Sequence, residues 1–106
     1  MYKRQLESVQ QKLALGALSE AGAIIDELWP EFSDDPNLGY LKALLCRLAN
    51  NPSDAIAVLT GLVETYPEMA RAHQEIALNS LSLNEPEAAL AAAERAVALD
   101  LSLIHI

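Results

Sequence analysis

Hydrophobic residues recur along the chain at the three- and four-residue spacing of amphipathic helices. Leu6, Val9 and Leu13, for example, fall on one face of a helix, with polar residues between them. The pattern predicts six helices, at about residues 2–14, 18–30, 36–49, 52–65, 70–82 and 86–99. Pro30 falls in the last turn of the second helix, and because proline lacks an N–H we expect that helix to end early or kink there.

The breaks between paired helices carry residues that suit helix ends. Gly16, Asn50 and Asn84 each follow a predicted helix, and glycine and asparagine readily adopt the left-handed conformation that closes a helix C-terminus. Pro52 and Pro86 then stand where the next helix begins, a position at which the missing N–H is not needed. The residues around each break therefore predict a tight corner between two helices.

The same arrangement recurs with a period of 34 residues. Three segments stack without gaps: residues 2–35, 36–69 and 70–103. In this alignment Ala21, Ala55 and Ala89 share one position, where small side chains let two helices approach closely. A period of this length is typical of stacked helical hairpins, each of which needs a neighbour to bury its apolar face. We therefore predict an all-α fold built from three repeats.

These features resemble the tetratricopeptide repeat (TPR), a helix-turn-helix unit of the same length. The residues that carry the resemblance are Ala43, Asn50, Ala55, Leu62 and Pro67 in the second segment and Ile76, Ala77, Ala89, Ala93 and Ala96 in the third. The resemblance implies a right-handed superhelical solenoid in which the first helix of each hairpin lines a concave, protein-binding groove. The family's aromatic residue near the start of each repeat is absent, because Gln5, Gly39 and His73 replace it.

Composition and charge narrow the range of functions. The chain has 106 residues and a formal net charge of -8, so it has no basic surplus to neutralise phosphates and a nucleic-acid partner is not expected. An acidic chain without a long apolar segment also gives no reason to expect a membrane partner. The single cysteine, Cys46, cannot form a disulfide within the chain and fits a reduced, cytoplasmic setting.

Basic residues concentrate in the first helix of each hairpin, which holds six of the seven Lys and Arg residues. The TPR resemblance implies that the groove is lined by nine residues of these helices, three of them basic: Lys3, Gln10, Asn37, Tyr40, Leu44, Arg47, Arg71, Gln74 and Leu78. We hypothesise that Lys3, Arg47 and Arg71 anchor carboxylates of an acidic peptide or protein segment. Tyr40 would then pack against its apolar side chains. The alternative is that these charges belong to an ordinary solvated surface.

No arrangement of side chains in the sequence is typical of catalysis, or of cofactor or metal binding. His73 and Glu75 are two residues apart and therefore point to different sides of a helix. Cys46 lies among leucines, which favours a buried thiol over a nucleophile. Asp34 and Asp35 precede the third helix, where negative charge stabilises a helix N-terminus. We therefore expect these residues to have no enzymatic activity and no cofactor.

The C-terminal end of the repeats raises further expectations. Residues 101–106, "LSLIHI", depart from the repeat and resemble translated adaptor sequence, so we expect a non-native tail. No polar capping helix follows the last hairpin, which leaves an apolar face open to self-association. The stretches "YLKALLCRL", "DAI" and "ETYP" resemble repeats found ahead of bacterial TPR-linked sulfotransferase domains. The alternative function is therefore an N-terminal fragment of a larger enzyme whose catalytic domain is missing from this chain.

Overall fold

The computed structural model of the protein describes residues 2–105, with the backbone alone described for residues 101–105. The helices are α1 (Tyr2–Ala14), α2 (Leu18–Phe32), α3 (Pro36–Leu48), α4 (Pro52–Thr65), α5 (Ala70–Ser82) and α6 (Pro86–His105). Residues 2–105 are therefore all-α and contain no strand, as the hydrophobic spacing predicts.

The ends of α2 and α6 differ from the prediction. The expectation that α2 stops early at Pro30 is wrong, because the helix continues to Phe32. Phe32 stacks on Tyr2 with ring centroids 4.1 Å apart, and Trp29 packs against the same apolar cluster. We attribute the continuation to this packing, which outweighs the single backbone hydrogen bond that proline cannot donate.

The backbone of α6 runs to His105, six residues past the predicted end at residue 99. The sequence after residue 99 contains no Gly or Pro to stop a helix, which accounts for the continuation. The expected tail, residues 101–106, lies outside the residues whose side chains the structure describes.

The three predicted corners share one backbone geometry. Gly16, Asn50 and Asn84 have φ angles of 78°, 62° and 61°, which confirms the left-handed conformation expected from their residue types. In each corner the backbone N–H of the next residue donates a hydrogen bond to the carbonyl oxygen five residues before it. The N···O distances are 2.8, 2.8 and 2.9 Å. This pairing satisfies carbonyl groups that would otherwise be free at the helix end. Pro52 and Pro86 then begin α4 and α6.

Asp35 caps the N-terminus of α3, which confirms the expected use of the acidic turn. Its carboxylate accepts hydrogen bonds from the backbone N–H groups of Asn37 and Leu38, at 2.7 and 3.4 Å. Tyr2 lies close to this carboxylate, and its hydroxyl oxygen is buried. Burial and the neighbouring negative charge of Asp35 raise the pKa of Tyr2 to about 12.

The helices pack mainly against their neighbours in the sequence. α3 contacts α1, α2, α4 and α5, whereas α6 packs against α5. One apolar cluster joins α1, α2 and α3 around Val9, Ile25 and Leu38, and a second joins α3, α4 and α5 around Leu59 and Ala72. The alanines of the repeated position are also buried, Ala21 and Ala55 at 0% exposure and Ala89 at 4%. This packing leaves one side of α1, α3 and α5 exposed.

Candidate peptide-binding groove

A depression of about 240 Å³ opens between α1, α3 and α5. Five of the predicted groove residues line it: Lys3 and Gln10 from α1, Asn37 and Tyr40 from α3, and Arg71 from α5. Helical spacing explains the grouping, since residues three or seven apart recur on one side of a helix. The fold therefore brings together side chains that are far apart in the sequence.

A second depression, of about 490 Å³, continues the first along α1 and α3. The two depressions share Gln10, Tyr40 and Leu41, and two more predicted residues, Leu44 and Arg47, line the second one. We refer to both depressions together as the groove, lined by Lys3, Leu6, Glu7, Gln10, Leu13, Ala14, Asn37, Tyr40, Leu41, Leu44, Arg47, Leu48 and Arg71. The groove has apolar side chains along its length, basic groups at Lys3, Arg47 and Arg71, and one carboxylate, that of Glu7.

Gln74 and Leu78 are the predicted residues that line neither depression. Both are exposed on α5, and Leu78 is 44% exposed. The depressions form where α1 and α3, or α3 and α5, provide two walls. Within residues 2–105 no helix lies beside the far side of α5 in the way that α1 lies beside α3. Gln74 and Leu78 therefore project from a surface instead of lining a cleft.

Arg71 is held against α3 by two interactions. Its Nη2 donates a hydrogen bond to Oδ1 of Asn37, the residue at the corresponding position one repeat earlier. Its guanidinium carbon also lies 4.7 Å from the centroid of the Tyr40 ring, a cation–π contact. Burial, with the nearby negative charge of Glu75, raises the pKa of the Tyr40 hydroxyl. These contacts orient the guanidinium beside α3 while leaving Arg71 exposed to a ligand.

Arg47 has a carboxylate partner within the protein. Its Nε lies 2.7 Å from Oε1 of Glu75, and its Nη2 lies 3.3 Å from Oε2, which is a bidentate pair between α3 and α5. Glu75 is only 5% exposed, whereas the Arg47 side chain is 34% exposed. Because Glu75 already balances its charge, Arg47 is a weaker candidate anchor than Arg71 for a ligand carboxylate.

Sequence reasoning missed this pairing, although a signal was present. Glu75 occupies the repeat position of Leu41, which is buried at 3% exposure in the preceding repeat. A carboxylate at a buried position requires a partner, since an unpaired buried charge is very costly. The basic candidates were Arg71, one turn earlier on α5, and Lys42 and Arg47 on α3, and the relative position of the helices selects Arg47.

Two of the other basic residues on α1 and α3 are directed away from the groove. Lys12 forms an ion pair with Glu20 of α2, at 2.9 Å. Lys42 lies 3.9 Å above the ring of Trp29, also on α2. The groove thus retains Lys3 and Arg71 as basic groups that form no ion pair among the described residues. With the Glu7 carboxylate in the same depression, the first depression keeps a formal charge of +1, which favours a negatively charged ligand.

The remaining candidate chemistry is accounted for by local contacts. The Nε2 atom of His73 lies 2.9 Å from the carbonyl oxygen of Pro67, and Glu75 pairs with Arg47, so the two side chains have separate partners. Cys46 is half-buried and not fully buried as expected, and this burial raises the pKa of its thiol, which lowers the fraction of reactive thiolate. Among the described side chains no group of three His, Cys, Asp or Glu could hold a metal ion. No described helix is both long and apolar enough to cross a membrane.

Comparison with protein-family models, with curated proteins and with solved structures finds no match to this chain.

Proposed function

We propose that this chain is a TPR-like helical-repeat module that binds a protein segment in the groove. The repeats are residues 2–35, 36–69 and 70–103, and they would form a right-handed superhelical solenoid. Three corners of one geometry at equal spacing support this arrangement, as does the packing of each helix mainly on its sequence neighbours. The observation that carries the proposal is the convergence of five predicted residues from α1, α3 and α5 on one depression.

The charge of the groove favours an acidic ligand. Arg71 is presented by Asn37 and Tyr40 in a fixed orientation, and Lys3 lies on the opposite helix of the same depression. A planar guanidinium that is already oriented loses little conformational entropy when it binds a carboxylate. Leu44 extends the apolar surface beyond these charges. We therefore propose a peptide in which acidic residues are followed by aliphatic or aromatic ones.

Selection from a random peptide library displayed on phage tests the proposal. The full chain is immobilised, and we expect the selected peptides to be enriched in Asp and Glu with apolar residues beside them. Isothermal titration calorimetry on one selected peptide then compares the protein with its Arg71→Glu variant. We expect the substitution to weaken binding about tenfold or more, because it replaces an attractive contact with a repulsive one.

Arg95→Glu is the matched control. Arg95 is an exposed basic residue on α6, outside the groove, so the same change of charge should leave affinity nearly unchanged. Equal losses in the two variants would show that only the net charge matters. Selection of peptides without acidic enrichment would overturn the proposed ligand chemistry.

The alternative function, an N-terminal fragment of a sulfotransferase-like enzyme, stays a prediction. No contact among residues 2–105 favours it.

A further inference from the structure

The outward face of α6 carries apolar residues that the described part of the chain leaves exposed. Leu90 is 61% exposed and Val97 is 57% exposed, although both are large and apolar. Ala93 lies between them on the same side of the helix, because residues three and four apart share a face. A shallow depression of about 400 Å³ is lined by Ala93, Glu94, Val97 and Ala98. We refer to Leu90, Ala93, Glu94 and Val97 as the α6 face.

The corresponding faces of α2 and α4 are covered by another helix. The residue that corresponds to Ala93 on α4 is Leu59, 34 positions earlier, which is 0% exposed. The corresponding residue on α2 is Ile25, a further 34 positions earlier, which is 1% exposed. α3 packs against α2, and α5 packs against α4. The corresponding face is therefore covered on both α2 and α4, in each case by the next helix in the sequence.

The contacts between α3 and α2 show what kind of helix covers such a face. Leu45 of α3 lies over Gly22, with its Cδ2 3.4 Å from the position that a Cβ atom would occupy. Lys42 of α3 lies over the ring of Trp29. Gly22 and Trp29 correspond to Leu90 and Val97 two repeats later. A similar helix on α6 would place a leucine beside Leu90 and a basic residue near Val97.

Glu94 gives the α6 face a charge that such a helix complements. It lies one residue after Ala93 and one turn before Val97, and it is exposed. α3 carries no acidic residue, and its basic residue on the side that covers α2 is Lys42, because Arg47 pairs with Glu75 of α5. The electrostatic match is therefore between an acidic face and a basic amphipathic helix.

A second copy of the chain fits the α6 face less well. In a head-to-tail arrangement α1 of one copy would cover α6 of the other. The α1 residues at the positions of Leu38, Leu41 and Leu45 are Arg4, Glu7 and Gln11, all polar and exposed. In a symmetric arrangement both faces would carry an exposed Glu94, and two like charges brought together repel.

We propose that the α6 face binds a separate amphipathic helix with aliphatic residues along one side and Lys or Arg beside them. The helix resembles α3 in its chemistry and covers α6 as α3 covers α2. This binding surface is distinct from the groove and does not depend on it.

A synthetic peptide with the sequence of residues 36–49 provides the probe. It is labelled at its N-terminus, kept under reducing conditions, and titrated with the full chain while fluorescence anisotropy is measured. We expect saturable binding accompanied by a gain of helical circular dichroism, because an isolated helix of this length is only marginally formed in water. A peptide with Leu38, Leu41 and Leu45 replaced by serine should not bind.

Four protein variants locate the binding surface. Leu90→Glu should weaken binding about tenfold or more by placing a charge in the apolar contact. Glu94→Lys should weaken it by a smaller factor, about threefold, because the lost ion pair is exposed. Ala88→Glu is the matched control, since Ala88 is exposed and lies on the opposite side of α6 from Leu90. Val97→Glu gives an independent variant of the same face.

Each outcome decides the proposal. Binding that is lost in Leu90→Glu and Val97→Glu but kept in Ala88→Glu supports it. Absence of saturable binding, or equal affinity in Leu90→Glu and Ala88→Glu, overturns it. Sedimentation velocity without peptide adds a second criterion: a dimer that dissociates on Leu90→Glu would show that a second copy occupies the face, contrary to the proposal.

Discussion

Residues of α3 and α5 that lie 34 positions apart in the sequence are buried by different chemistry. On α3 the position facing the preceding hairpin carries Leu41, which joins an apolar cluster with Leu38. On α5 the corresponding positions carry Glu75 and Ala72, and the carboxylate pairs with Arg47. The comparison teaches that one position can be buried on both α3 and α5 although apolar packing satisfies it on one helix and a polar pair on the other.

The two solutions differ in how they stabilise the interface. Buried leucines contribute in proportion to the apolar area removed from water, whatever the exact positions of their neighbours. A buried carboxylate contributes only if its partner is correctly placed, and it is costly otherwise. Asn79 adds to this difference, because its side chain is fully buried and its Oδ1 has no hydrogen-bond partner among the described residues. We therefore expect the α3 interface to be the more stable of the two.

The largest effect is expected from shortening a leucine of the α3 interface. Leu38 is 0% exposed, and Leu38→Ala should lower the free energy of unfolding by about 2–5 kcal/mol through lost burial and a cavity. Urea denaturation followed by circular dichroism measures the change. Leu15→Ala, at a residue that is 83% exposed, is the control and should change stability little. A cost at Leu38 no greater than at Leu15 would contradict the role of this cluster.

The polar pair of the α5 interface should respond asymmetrically. Arg47→Met leaves the Glu75 carboxylate buried without a partner, which should cost about 2 kcal/mol. Glu75→Leu copies the residue of the α3 interface, and Arg47 can then turn to water, so stability should stay within about 1 kcal/mol.

The double variant Arg47→Met with Glu75→Leu separates the two contributions. It should recover most of the stability that Arg47→Met loses, as judged by the same urea denaturation. If Glu75→Leu costs as much as Arg47→Met, the pair stabilises the fold by itself and the asymmetry is wrong.

Asn79→Leu should make the α5 interface more like the α3 interface, where Leu45 holds the corresponding position. The substitution removes a buried acceptor without a partner, at the loss of one hydrogen bond from Nδ2 to the Glu75 carbonyl. We expect a gain of about 1 kcal/mol in the free energy of unfolding. Ser82→Leu, at an exposed position of α5, should bring no such gain in thermal unfolding. A loss of stability in Asn79→Leu would show that the site cannot accommodate the larger side chain.

The smallest effect at neutral pH is expected at Tyr2, beside the α3 interface. Its pKa is raised from 10.0 to about 12 in the folded protein, so the unfolded chain loses the phenolic proton first as pH rises. Stability should therefore fall between pH 10 and about 12, and Tyr2→Phe should remove that part of the decline. Urea denaturation at several alkaline pH values measures it. An unchanged decline in the variant would contradict the assignment.

Much of the groove could be predicted from the sequence, because helical periodicity already places Lys3 with Gln10 and Asn37 with Tyr40. The convergence of these two pairs with Arg71 required the relative positions of three helices. Those positions depend on side chains packed between helices, such as Leu38 in one cluster and Ala72 in the other. The same packing decides that Arg47 faces a carboxylate of its own chain.

The sequence by itself determined the six helices and their corners, since these depend on interactions within a few residues. Gly16, Asn50 and Asn84 close their helices through hydrogen bonds that span five residues, and no distant contact is needed. Only the tertiary structure decided that α2 continues past Pro30, that Arg47 meets Glu75 across 28 residues, and that the α6 face stays exposed. These features arise where helices meet, and the free energy of such contacts depends on distances that local sequence does not specify.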